Sequence, residues 1–106
     1  MAEQLIPEGH NLFVIDIRYT AGPDRIEPLR ESHMAFIAEC LAEGFILVSG
    51  PKVPRTGGMI IAVAPDRAAV TERMAQDPFV REGVIALEVT EFTPGTQHPV
   101  LAGLSQ

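Results

Sequence analysis

The chain has 106 residues, 46% hydrophobic and 21% charged, with 8 basic and 14 acidic side chains and a formal net charge of −6. Those values exclude a disordered or fibrous chain and predict one domain across 1–106, with one core and little surplus. A single lysine, Lys52, leaves few groups to neutralise phosphates, so nucleic acid is not expected as a partner.

Residues 12–19 alternate with period two and read as a strand. Phe13, Ile15, Ile17 and Tyr19 share one face; Leu12, Val14, Asp16 and Arg18 share the other. Ala-Gly-Pro-Asp at 21–24 signals a loop and a helix start, with Asp24 as candidate N-cap. From Arg25 to Glu43 the apolar residues Ile26, Leu29, Phe36, Ile37, Cys40 and Leu41 recur at helical spacing. Pro28 fits if it lies in the first turn, where its missing N–H costs nothing. Gly44 serves as C-cap.

Phe45–Ser49 reads as a second strand, ended by Gly50-Pro51, and Gly58–Ala64 as a third; the short loop between them makes the two a hairpin. Pro65-Asp66 opens a second helix to about Gln76, which Asp77-Pro78 stops, because the residue before proline avoids the helical region. Val84–Phe92 is the fourth strand, and Thr93–Gln106 a tail punctuated by proline and glycine. In that tail Val100, Leu101 and Leu104 either lie across a partner or fray.

Strand, helix, strand, strand, helix, strand is the split βαβ order of a ferredoxin-like α+β sandwich with an antiparallel sheet. Right-handed connections put both helices on one face. The other face carries Leu12, Val14, Ala86 and Thr90 beside Asp16, Arg18 and Glu88. A half-apolar face of this kind predicts a homodimer packed sheet to sheet about a two-fold axis.

His33 is the most informative residue for chemistry. It lies on the inward stripe of the first helix, one turn after Arg30. An imidazole there reads as a general acid or base, because it titrates near neutral pH. The plain alternative is a core histidine satisfied by one hydrogen bond. Asp77 is the natural partner, since a carboxylate would orient the ring and fix its tautomer; alone it reads equally as an Asx-turn. Ser49, at the end of the second strand, offers a hydroxyl to a ligand or bonds backbone locally. The hairpin loop with Arg55, Thr56, Gly57 and Gly58 either covers a site or is simply solvated.

Other constellations fail. His10, His33 and His98 have no zinc spacing, so no metal is expected. Cys40 stands alone, which rules out an intrachain disulfide, and reads as a small core residue. No phosphate-cradling glycine motif is present. The longest purely apolar run, Met59–Ala64, is far short of the ~20 residues of a membrane helix. Met1–His10 has no basic and then apolar segment, so no secretory signal is expected and a cytoplasmic location follows.

Arg-x-x-His at 30–33, Ser-Gly-Pro at 49–51, Gly-Gly at 57–58 and Asp-Pro-Phe at 77–79 followed by Gly83 resemble, in order and spacing, the YCII-related (YciI-like) family. The resemblance spans about residues 12–92. It implies a dimeric α/β barrel and an active site pairing His33 with Asp77. Arg30 and Ser49 match positions that flank this cleft, and Arg55 and Phe79 complete the candidate substrate-binding set. It also implies cofactor-free dehydrochlorinases or isomerases acting on chlorinated or hydroxylated aromatic compounds. The resulting expectation is a cofactor-independent acid–base enzyme acting on a small aromatic or anionic metabolite through His33 and Asp77. The alternative is a non-catalytic dimeric ligand-binding or accessory domain.

Overall fold

The computed structural model describes residues 5–103; residues 1–4 and 104–106, Leu104 of the tail among them, lie outside it. Its elements run β1 (Asn11–Tyr19), α1 (Pro23–Glu43), β2 (Ile46–Pro51), β3 (Gly57–Ala64), α2 (Arg67–Met74), α3 (Pro78–Arg81), β4 (Ile85–Phe92) and α4 (Pro99–Gly103). The four strands form an antiparallel sheet in the order β2-β3-β1-β4. The fold is α+β, and β2 and β4 are the edges of an open sheet.

The alternation in β1 does what its period demands. Phe13, Ile15 and Ile17 are buried under the helices, while Leu12 and Val14 stay half-exposed on the opposite face. The main core joins them to Phe36, Ile37 and Cys40 of α1, Ile46 of β2, Ile60, Ala62 and Ala64 of β3, and Val70 and Met74 of α2. A second, smaller cluster of Ile26, Phe79 and Val84 sits under the start of α1.

Several boundaries move, each for a local reason. α1 begins at Pro23 with the extended Gly22 as N-cap, so Asp24 lies inside the first turn and caps nothing. Pro28 therefore falls in the second turn, on the exposed side of the helix. Its ring removes the donor for the Asp24 carbonyl, which water can satisfy there. Leu41 is 45% exposed, so the apolar stripe ends at Cys40. Gly44 takes φ 82°, the left-handed cap that glycine adopts without a Cβ penalty. β2 continues through Gly50 and Pro51 as an edge strand, where proline's missing donor is harmless. In α2, Asp66 is the N-cap, accepting from Ala69 N–H at 2.8 Å.

Asp77-Pro78 both stops α2 and starts α3. The Asp77 carboxylate caps that single turn by accepting the Phe79 N–H at 3.0 Å, with Pro78 at its first position. The tail, expected to lack strong signals, forms the one-turn α4 with Val100 exposed. No helix among the described residues is long and apolar enough to cross a membrane.

Candidate active site

Helix α1 packs on both α3 and β2. This packing brings His33 to Asp77 across 44 residues of sequence, with Nδ1 and Oδ1 2.9 Å apart. Asp77 is fully buried, whereas the His33 side chain retains 12% exposure. The same Oδ1 caps α3, so one carboxylate oxygen fixes both the ring and the turn. Oδ2 is buried without a hydrogen-bond partner. The His33 ring lies flat on Phe79, centroids 4.0 Å apart and planes 10° apart. Its orientation is therefore set by a hydrogen bond at one nitrogen and by a ring face, leaving Nε2 as the nitrogen open to a ligand.

His33 borders a cavity of about 220 Å³ between α1, the inward face of the sheet and the hairpin loop. Residues of both apolar clusters line it, Ile17, Ile37 and Ile60 from one and Phe79 from the other. The cavity is the seam where the two clusters fail to meet. Its volume suits a ligand of about one ring.

Arg30, His33, Ser49, Arg55 and Phe79 all line this space; Asp77 does not, and stands behind His33. Ser49 faces inward opposite Ile60, and its hydroxyl has no hydrogen-bond partner among the described residues, so the local backbone bond is not made. Arg30 grips Glu27 one turn earlier, Nη2 to Oε2 at 2.7 Å and Nε to Oε1 at 3.1 Å. That hydrogen bond holds the Arg30 guanidinium above the usual arginine range and Glu27 below the usual carboxylate range, and Arg55 adds to the effect on Glu27. Two arginines thus make a locally positive mouth on a chain of net charge −6.

Tyr19, Met34 and Met59 also line the cavity, and none was singled out from the sequence. Tyr19 carried a signal, since period two puts it on the inward face after Ile17. Met34 follows His33 but is 52% exposed, off the stripe that points inward. No group of three or more His, Cys, Asp or Glu side chains among the described residues could hold a metal ion.

The family model described as the YCII-related domain matches residues 11–93. Among solved structures, the chain is similar to 5-chloro-2-hydroxyhydroquinone dehydrochlorinase (TftG) from Burkholderia phenoliruptrix AC1100, in complex with 2,5-dihydroxybenzoquinone. The two are 24% identical over 79% of this chain and 95% of that one, with a TM-score of 0.65. A candidate antibiotic biosynthesis monooxygenase from Bacteroides thetaiotaomicron is 21% identical over 84% of this chain and 95% of that one, TM-score 0.53. SnoaB, a cofactor-independent oxygenase from Streptomyces nogalater, is 19% identical over 86% of this chain and 98% of that one, TM-score 0.48. At these identities the likeness is one of fold. No curated protein sequence matches the chain.

Proposed function

Given that the chain belongs to the YCII-related domain family, we propose that it is a cofactor-independent acid–base enzyme of lyase, dehydrochlorinase or isomerase type. It acts on a small anionic or aromatic metabolite through His33 and Asp77. The observation that carries this reading is the 2.9 Å contact between a wholly buried carboxylate and a histidine that borders a cavity. In the resting dyad Asp77 is ionised and accepts the Nδ1 proton, so Nε2 carries the lone pair. Nε2 takes a proton from the substrate, and the imidazolium that forms is stabilised by Asp77. Arg30 and Arg55 hold an anionic oxygen, the Ser49 hydroxyl meets a polar substituent, and Phe79 walls one side of the ring.

Asp77 argues against a purely structural pair. A helix cap needs only Ser, Thr, Asn or Asp, and an uncharged one would avoid burying an oxygen without a partner, which costs about 1–3 kcal/mol. A buried carboxylate that is expensive for a cap is suited to orienting and charging a base.

The test follows the His33 ring by NMR as 2,5-dihydroxybenzoquinone, the ligand of the TftG complex, is added. In parallel, turnover of chlorinated and hydroxylated ring compounds is measured. The ring responds to the ligand, and His33→Ala lowers turnover about 10²–10⁴-fold. Full turnover in His33→Ala sinks the dyad. An inert ring whose loss only lowers the melting temperature supports the non-catalytic reading.

The pairing of two chains belongs to the same proposal. Val48, Met59 and Phe92 on the uncovered sheet face are each more than a third exposed, beside half-buried Leu12, Val14 and Ile61. A second copy packed there about a two-fold axis covers this apolar face and completes a dimeric α/β barrel. Sedimentation as a monomer at micromolar concentration would overturn that pairing.

A further inference from the structure

Tyr19 has no role in the scheme above, yet it lines the same cavity as Arg30 and His33. It is the last residue of β1, and its main-chain N–H is fixed on the Thr56 carbonyl at 3.0 Å. Its ring stands edge-on to Phe79, centroids 6.3 Å apart at 90°. Phe79 in turn lies flat against His33. One phenyl ring thus spaces Tyr19 and His33 at a set separation along the cavity. Arg30, braced by Glu27, lines the same cavity.

The donor inventory decides what Tyr19 can do here. A phenol hydroxyl has one proton to donate, and a guanidinium has no acceptor to take it. Among the described residues the Tyr19 hydroxyl donates to no partner, and Tyr19 lines the cavity with His33 and Arg30. The arrangement is an unpaired donor in a cavity that also holds the base and a guanidinium.

We propose that Tyr19 is a catalytic residue of this site, donating its hydroxyl hydrogen bond to a substrate oxygen on which negative charge develops. The inference rests on the acid–base reading and narrows its substrate class to phenols, enols and enolisable carbonyl compounds. The proton leaves the substrate for His33 Nε2, and the electron pair it leaves behind moves onto that oxygen. Tyr19 keeps its proton and shares it in a hydrogen bond.

Tyr19 is the only tyrosine, so a chain labelled at tyrosine Cζ gives one resonance for this hydroxyl. With 2,5-dihydroxybenzoquinone as the probe, that resonance and the His33 ring resonances shift with the same midpoint. Tyr19→Phe keeps the ring against Phe79, so its melting temperature stays close to wild type. It weakens probe binding about tenfold or more, the loss of one hydrogen bond to a charged oxygen. It also raises the pH at which the bound probe becomes the coloured anion. A probe that moves His33 but not Tyr19, or that binds Tyr19→Phe as tightly as wild type, overturns the inference and leaves the acid–base reading standing. Neither residue responding at millimolar probe overturns both.

Discussion

Helix α1 behaves differently along its length. In its second half Phe36, Ile37 and Cys40 pack into the main core against Ile46, Ile60 and Ala62. Arg73 of α2 closes that end from outside: its guanidinium lies 5.0 Å from the Phe36 ring centroid and binds Glu43 at 2.8 Å. Before that stretch Arg30, His33 and Met34 stand over the cavity, while Ile26 near the start packs into the smaller cluster. The cause lies in the sheet. Opposite the closed half β3 presents Ile60 and Ala62, and opposite the open half it runs out into Gly57 and Gly58, which present no side chain. One helix on one sheet therefore gives a core where side chains meet and a site where they are withheld.

The glycines are the place to break this contrast. A Cβ on Gly57 would lie 1.8 Å from the Ile17 carbonyl oxygen, a backbone atom that cannot swing aside. Gly57→Ala must part β3 from β1 at the cavity's edge, at a cost of about 3 kcal/mol or more. In a thermal melt that is a fall of about 12 °C or more, or no folded protein. Gly50 also borders the cavity, but a Cβ there meets nothing within 4 Å. Gly50→Ala is expected to be neutral or stabilising by about 0.4–1 kcal/mol, through the unfolded chain. Equal melting temperatures for the two variants would show that the close strand approach does not shape this end.

The cavity-facing and core-facing sides of α1 also predict different costs for removing a side chain. Phe36 is 6% exposed and lies beneath Arg73, so Phe36→Ala costs about 3–5 kcal/mol. Met34 is 52% exposed beside space that is already open, so Met34→Ala costs about 0.5 kcal/mol or less. Denaturant midpoints with unchanged slopes measure both. A Met34→Ala cost approaching that of Phe36→Ala would mean that the cavity-facing side of α1 is packed as tightly as the core-facing side.

The fold and half of the site were legible because they rest on short periods. Period two sorted β1 into its faces, and helical spacing put His33 on the inward stripe of α1. The contact between His33 and Asp77 was not legible from spacing. It depends on how α1 meets α3, and α3 is a single turn, too short to show a period. The order of motifs supplied the pairing instead. Asp24 misled because the next possible cap, Gly22, has no side chain to announce it. Leu41 misled because the stripe ends one residue before Leu41 itself, where Gly44 is about to turn the chain. Tyr19 was visible on its strand face, but nothing in the sequence says that Arg30 and Phe79 stand around it.

A pH-dependent effect concerns His33 and Cys40, which α1 turns inward. His33 borders the cavity, while Cys40, two turns on, is sealed in the core, and burial pushes its thiol from about 9 up to about 11. The native state therefore holds the thiol proton that the unfolded chain releases at lower pH. The unfolded chain binds fewer protons between about 9 and 11, so stability is intact below about pH 9 and falls as pH rises through that window. The slope is at most about 1.4 kcal/mol per pH unit. Cys40→Ala removes this contribution while leaving a small cavity behind. The difference in melting temperature between wild type and Cys40→Ala should then shrink from pH 7.5 to pH 10.5, by about 10 °C at most. A difference that stays constant across that range would mean the thiol ionises in the native protein as readily as in the unfolded chain.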